Sequence, residues 1–222
     1  MSEKALPKYS HNEDVVNVIT HLIGCLFTLT IFVLFLVLEI KHNISFSSMY
    51  PFYIYVLFMF IMFSISAIYH SRKKETKSRY IWRIIDHSNI YYFVAATYTP
   101  ICVYYISQSV LFVVILIVEW AFAIVGSLLT SFLMNYKTAR IISYFLYLIS
   151  GWILIFFFPA IKIIDLKVFL FVLFGGTLYT VGAICYSIGK KRKWFHSIFH
   201  IFILLADILQ FVGIWFLLIN ML

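Results

Sequence analysis

Charge is scarce in this chain. Asp, Glu, Lys and Arg together make up 12% of its 222 residues, about half of the roughly 25% usual in a soluble domain. With 64% of residues hydrophobic and 20% aromatic, that scarcity argues against a soluble enzyme, a coiled coil or a disordered chain. Cysteine is rare too. Cys25, Cys102 and Cys185 lie far apart, each inside an apolar run. That is neither a disulfide framework nor a CxxC metal site, and they read as small buried hydrophobes. Acidic residues number nine against 17 basic ones. The net charge of +8 nonetheless falls in short segments between apolar runs, so no nucleic-acid partner is expected. Residues 1–14 are polar and lack the short apolar core and small-residue cleavage site of a signal peptide. They read as a cytoplasmic tail ahead of one transmembrane domain over 15–222.

What the sequence has in quantity is long apolar stretches. One membrane-crossing helix needs about 20 such residues, and several runs reach that length. Spans are expected at about 15–38, 44–69, 88–106, 110–130, 141–161, 168–189 and 197–218. The third and fourth come from one stretch, 88–136, whose single charge is Glu119. As one helix it would be about 73 Å long, more than twice a hydrocarbon core of about 30 Å. It must fold back, and Ser107-Gln108-Ser109 is its most polar triplet. The expected fold is an all-α integral membrane protein, a seven-transmembrane helix bundle.

The basic residues orient it. With seven spans, one side of the membrane receives Lys4, Lys8, the six of the second loop (Arg72, Lys73, Lys74, Lys77, Arg79, Arg83), Lys137, Arg140 and the run Lys190 to Lys193. The other side receives only Lys41, Lys162 and Lys167. Basic loops stay inside, so the N-terminus is expected in the cytoplasm and the C-terminus outside. The expected location is the cell membrane, with the lipid bilayer as the surrounding partner. Nothing in the sequence sets an oligomeric state.

Ionisable groups within spans are costly and mark function by default. This topology brings His21, His70, Asp86, His87, His196 and His200 to similar depth on the cytoplasmic side, whereas His42 lies on the other. His196 and His200 are i and i+4, one turn apart on one helix face, a spacing at which two imidazoles can share a metal ion. Two histidines at a helix start also occur without metal. Ser66 and His70 repeat the spacing, and a third imidazole would leave a fourth position open to water, as in catalytic zinc sites. Asp86, close by, could orient a ligand, hold that water or move its proton.

The motifs Glu13-x-x-x-Asn17-x-x-Thr20-His21-x-x-Gly24, Ser66-x-x-x-His70, Asp86-His87-Ser88 with Ala96 to Pro100, and His196-x-x-x-His200 resemble those of the bacterial hemolysin III family. That family belongs with the progestin and adipoQ receptors and is more distantly similar to the alkaline ceramidases. The resemblance covers essentially the whole chain. It implies seven helices, zinc held by His70, His196 and His200, and Asp86 beside the metal's water with Ser66 near it.

Other polar residues stay open to two readings. Glu13, Asn17 and His21 form an i, i+4, i+8 stripe, either a hydrogen-bond network between helices or a set supporting the metal ligands. His87 points about 100° away from Asp86 around the helix. Asp207, on the His196/His200 face, is expected to bond within the bundle or line a wet cavity. Glu119 has no partner that the sequence identifies. Pro100 should kink the third span, with the threonine hydroxyls before it meeting the freed backbone groups.

Three functions follow. The first is a zinc amidohydrolase acting on a ceramide-like lipid, with Ser66 and Asp86 catalytic and a membrane lipid or fatty-acyl ligand as partner. The second is a non-catalytic membrane sensor with zinc as a clamp. The third is a membrane-damaging hemolysin, for which the sequence offers little mechanism.

Overall fold

A computed structural model describes residues 9–133 and 136–222. Among the described residues the regular structure is helical: α1 His11–His42, α2 Phe46–Ser71, α3 Lys77–Tyr105, α4 Leu111–Leu133, α5 Lys137–Gly151, α6 Ile153–Phe156, α7 Phe158–Ile161, α8 Leu166–Gly189 and α9 Phe195–Ile219. Of these, α1, α2, α4, α8 and α9 are each long and apolar enough to cross a membrane. Sequential helices pack side by side from α1 to α5, α8 packs on α9, and α9 returns against α1.

Burial on α1 is inverted relative to a helix in water. Its buried stripe is Glu13, Asp14, Asn17, His21, Gly24, Thr28, Ile31 and Phe35. Ile19, Leu22, Ile23, Leu26 and Val33 are at least 49% exposed. That arrangement suits a hydrocarbon surround, where polar groups must be satisfied inside the bundle. The helix starts at a capping box. Ser10 Oγ accepts from Glu13 N at 3.3 Å, and Glu13 Oε2 accepts from Ser10 N at 2.8 Å.

The stretch 88–136 does fold back, with α3 ending at Tyr105 and α4 starting at Leu111. Yet α3 itself falls outside the five apolar helices. It packs against α2, α4, α5 and α9, so it can carry the tyrosines and threonines that a lipid-facing helix would not. Tyr91 and Tyr98 donate to the carbonyls of Ser143 and Gly151, at 3.0 and 2.9 Å. Helix α3 is assigned continuously through Pro100. The threonine hydroxyls do not meet the carbonyl of Ala96, the one that proline frees. Thr97 bonds the Phe93 carbonyl and Thr99 the Ala95 carbonyl.

The stretch 141–161, expected as one helix, is broken at Trp152 and Phe157 into α5, α6 and α7. Pro159 accounts for the second break. It lacks an N–H, its ring excludes the carbonyl four residues back, and it is tolerated only in a first turn, where it sits in α7.

Two glycines permit close helix contact. A β-carbon on Gly24 would run into the Phe63 ring of α2, and one on Gly126 into the Tyr91 ring of α3. Gly126→Ala should therefore lower thermal stability in detergent by an overpacking cost of about 1–3 kcal/mol. Gly151→Ala, whose β-carbon meets nothing within 4 Å, should not. Equal melting of the two variants would contradict the close approach of α3 and α4.

Candidate metal centre

One end of the bundle collects the start of α1, the end of α2, and the starts of α3 and α9. There His70, His196 and His200 are 3–4% exposed and turn their Nε2 atoms toward one another. The separations are 3.3 Å for His70 and His196, 3.2 Å for His70 and His200, and 3.0 Å for His196 and His200. Two imidazoles come from successive turns of α9, and the third from the last turn of α2.

This spacing fits a metal ion. Imidazole nitrogens about 2.0–2.1 Å from a tetrahedral ion lie about 3.3–3.4 Å apart, close to the observed triangle. The three histidines form a buried group able to hold an ion. The contact on the far side of the His70 ring bears on which of its nitrogens is bare. His70 Nδ1 lies 3.2 Å from Asp14 Oδ1. A carboxylate only accepts, so Nδ1 carries the proton and Nε2 presents a lone pair. His200 Nδ1 lies 2.7 Å from His21 Nε2, and when it donates there, its own Nε2 is bare as well. Lone pairs turned on one another repel unless a cation lies among them, and a carboxylate or other acceptor on the far ring nitrogen is the usual support of a metal-binding imidazole.

Asp14 was not singled out in the sequence. Arg79 Nη2 donates to it at 2.6 Å, and Lys74 Nζ lies 3.7 Å away. Arg79, 1% exposed, also donates to the Arg72 carbonyl at 2.8 Å. The signal was the 3–4 spacing of Asp14, Asn17, His21 and Gly24, beside the i+4 stripe that begins at Glu13. Asn17 Nδ2 lies 3.3 Å from His70 Nδ1. Glu13 acts elsewhere, its Oε1 accepting at 2.6 Å from the backbone N–H of Trp194. Trp194 holds φ at 70°, an uncommon conformation for a bulky residue, so Glu13 fixes the turn from which α9 starts. Tyr9, also missed, stacks on the His196 ring with centroids 4.3 Å apart, and its carbonyl accepts from Lys74 Nζ at 2.6 Å. Burial holds the Tyr9 phenol far above its ordinary pKa, so it caps the trio as a neutral ring.

The remaining candidates are placed as follows. Ser66 is buried on α2 one turn before His70. The Asp86 carboxylate is near enough for its charge to act on His70 and His21, while its hydrogen-bond contact is His87 Nδ1 at 3.2 Å. His87 Nε2 turns to the Tyr186 hydroxyl at 3.0 Å. Asp207 bonds within the bundle, to the Tyr179 hydroxyl of α8. Glu119, fully buried, receives a hydrogen bond from Ser150 Oγ at 2.5 Å. His42 is exposed at the other end of α1.

The family described as "Haemolysin-III related" matches residues 9–211, a range that includes every residue of this centre. The "Hemolysin-3 homolog" of Bacillus subtilis is 31% identical over 210 residues, covering 94% of this chain and 95% of that protein. The "Hemolysin-3" of Bacillus cereus is 30% identical over 205 residues, covering 92% and 91%.

Protein extracted in mild detergent should carry about one metal ion per chain, since the described residues form one imidazole trio to hold it. His196→Ala or His200→Ala should lose most of it, and His42→Ala should keep it. Asp14→Ala should weaken metal affinity about 10–100-fold, the usual cost of losing a partner behind a ligand histidine. Unchanged metal content in both α9 variants, measured by elemental analysis, would refute the site.

Proposed function

The chain belongs to the haemolysin-III-related family, and from that premise we propose that it is a multi-pass cell-membrane zinc protein that hydrolyses a ceramide-like lipid amide. The observation that carries the reading is a three-nitrogen site without a fourth protein ligand among the described residues, with a carboxylate and a hydroxyl at the same end of the bundle. Three imidazoles with no thiolate suit zinc.

Zinc in such a site supplies Lewis-acid activation of water and of a carbonyl. The chain's own residues do the rest. Asp86 accepts a proton from the attacking water and returns it to the leaving amine. Ser66, on the His70 face, donates a hydrogen bond to the oxygen of the attacked carbonyl. Asp14 and His21 hold His70 and His200 in orientation. The buried position and lipid-facing flanks favour an amide on a long acyl chain that enters from the bilayer.

The proposed topology is seven spans. The central α3 and the broken α5–α7 segment add to the five apolar helices, and the basic loops put the N-terminus inside and the C-terminus outside. A reporter fused after Leu222 should therefore read outside, and one inserted at 73–78 should read inside. A cytoplasmic C-terminus would overturn the count.

One observation favours a second reading. The trio joins α2 to α9, and Tyr9 covers it, which also suits a structural clamp in a membrane sensor. The hemolysin name of the relatives fits either reading if lysis follows from altered lipid composition. Asp86→Asn separates enzyme from clamp. For an enzyme it should leave zinc content near wild type and cut fatty-acid release from ceramide-like substrates by about 10²–10⁴. Ser66→Ala should cost less, about 10–10³. Equal release from wild type and Asp86→Asn would remove Asp86 from the mechanism. No release from zinc-loaded wild type across a broad lipid panel would leave the clamp.

A further inference from the structure

Two arginines lie one turn apart on α3, and only one is matched. Arg79 has the Asp14 carboxylate, the Arg72 carbonyl and the face of Tyr69, 5.2 Å from its ring centroid. Arg83 has no carboxylate within ion-pair distance among the described residues, and its buried Nε has no hydrogen-bond partner. The acid at i+3, Asp86, is within hydrogen-bond distance of His87.

The surroundings of Arg83 belong to the metal centre. Its guanidinium meets the Tyr186 hydroxyl and lies close to Tyr69 and Tyr9. Each of those rings touches the trio. Tyr9 stacks on His196 at 4.3 Å, Tyr69 lies 4.5 Å from the His70 ring, and Tyr186 lies 5.6 Å from His196. The Arg83 charge is near enough to act on His196.

A guanidinium stays charged at any accessible pH, and this one is half-buried, with its Nε shut off from water and without a partner. The group that relieves this is an anion, and the planar fork of arginine matches a carboxylate or a phosphate. At the same end of the bundle Val15, Ile19 and Leu22 of α1 are 41–50% exposed, so the surface beside this centre is apolar. An amphiphile answers both demands.

The geometry points to Arg83 as the anchor for an oxyanion carried on a lipid chain, held beside the imidazole trio. This rests on reading the trio as the lipid-handling centre. It narrows the ceramide-like amides to those that bear a carboxylate or phosphate near the bond presented to the metal. Arg79 secures the ligand histidine through Asp14, and Arg83 one turn later selects the headgroup.

The test is equilibrium binding to the purified full chain in non-ionic detergent, with oleate, oleyl phosphate and neutral oleyl alcohol as probes. Arg83→Gln should weaken at least one anionic probe about 10–100-fold, the value of hydrogen bonds to a charged group, and leave oleyl alcohol unchanged. Arg83→Lys, which keeps the charge and loses the fork, should fall between. The anion whose binding drops identifies the headgroup. Arg83→Gln should hold as much metal as wild type, so a failure of the metal reading shows separately, as wild-type protein without metal. Equal affinity of wild type and Arg83→Gln for both anions would overturn the assignment. Parallel loss of oleyl alcohol would also overturn it, because the substitution would then have damaged the apolar surface.

Discussion

Three imidazole Nε2 atoms facing one another at 3.0–3.3 Å are the constraint around which this bundle end is built. Where they present lone pairs, these repel unless a cation lies among them, and away from bulk water they have little else to bond. Much of the nearby polar structure holds them there. Asp14 fixes the far side of His70, His21 that of His200, and Tyr9 covers His196. Glu13 ties the start of α9 to the start of α1 through Trp194. The polar face of α1 thus serves two ligand-bearing helices at once, which explains why a helix so apolar outside carries two acids, an amide and a histidine inside.

The membrane environment makes that arrangement necessary. In hydrocarbon an unsatisfied polar group costs several kcal/mol, so polar residues gather where helices can answer them. Helix α3 shows the consequence. It is the least apolar of the long helices because its neighbours, and not lipid, take up its hydroxyls. The same rule accounts for Glu119 meeting Ser150 and Asp207 meeting Tyr179, pairs that join α4 to α5 and α9 to α8.

The helical membrane architecture and the trio were legible in the sequence. Apolar run length, the i, i+4 spacing and the distribution of basic loops are local or additive signals, and together they bring His70, His196 and His200 to one depth. The family resemblance pointed to the same residues. A strict i+4 repeat along α1 skips Asp14, whereas the buried face follows a 3–4 alternation and contains both Glu13 and Asp14. By apolar run length alone, Arg79 and Arg83 fall in a loop. Helix α3 starts earlier than the apolar run, at Lys77, so both arginines lie on a packed helix. Tyr9 stood in a tail that composition alone marks as polar. The second break in 141–161 follows from one residue, Pro159, which hydropathy averages away.

The central claim is that the trio binds one metal and leaves a coordination position for chemistry. X-ray absorption at the metal edge, on protein extracted from membranes without chelator, tests this most directly. The account predicts zinc with three imidazole nitrogens at about 2.0–2.1 Å and one further light, exchangeable ligand. Protein that takes up no metal, or a zinc shell containing sulfur or a fourth imidazole, would contradict it.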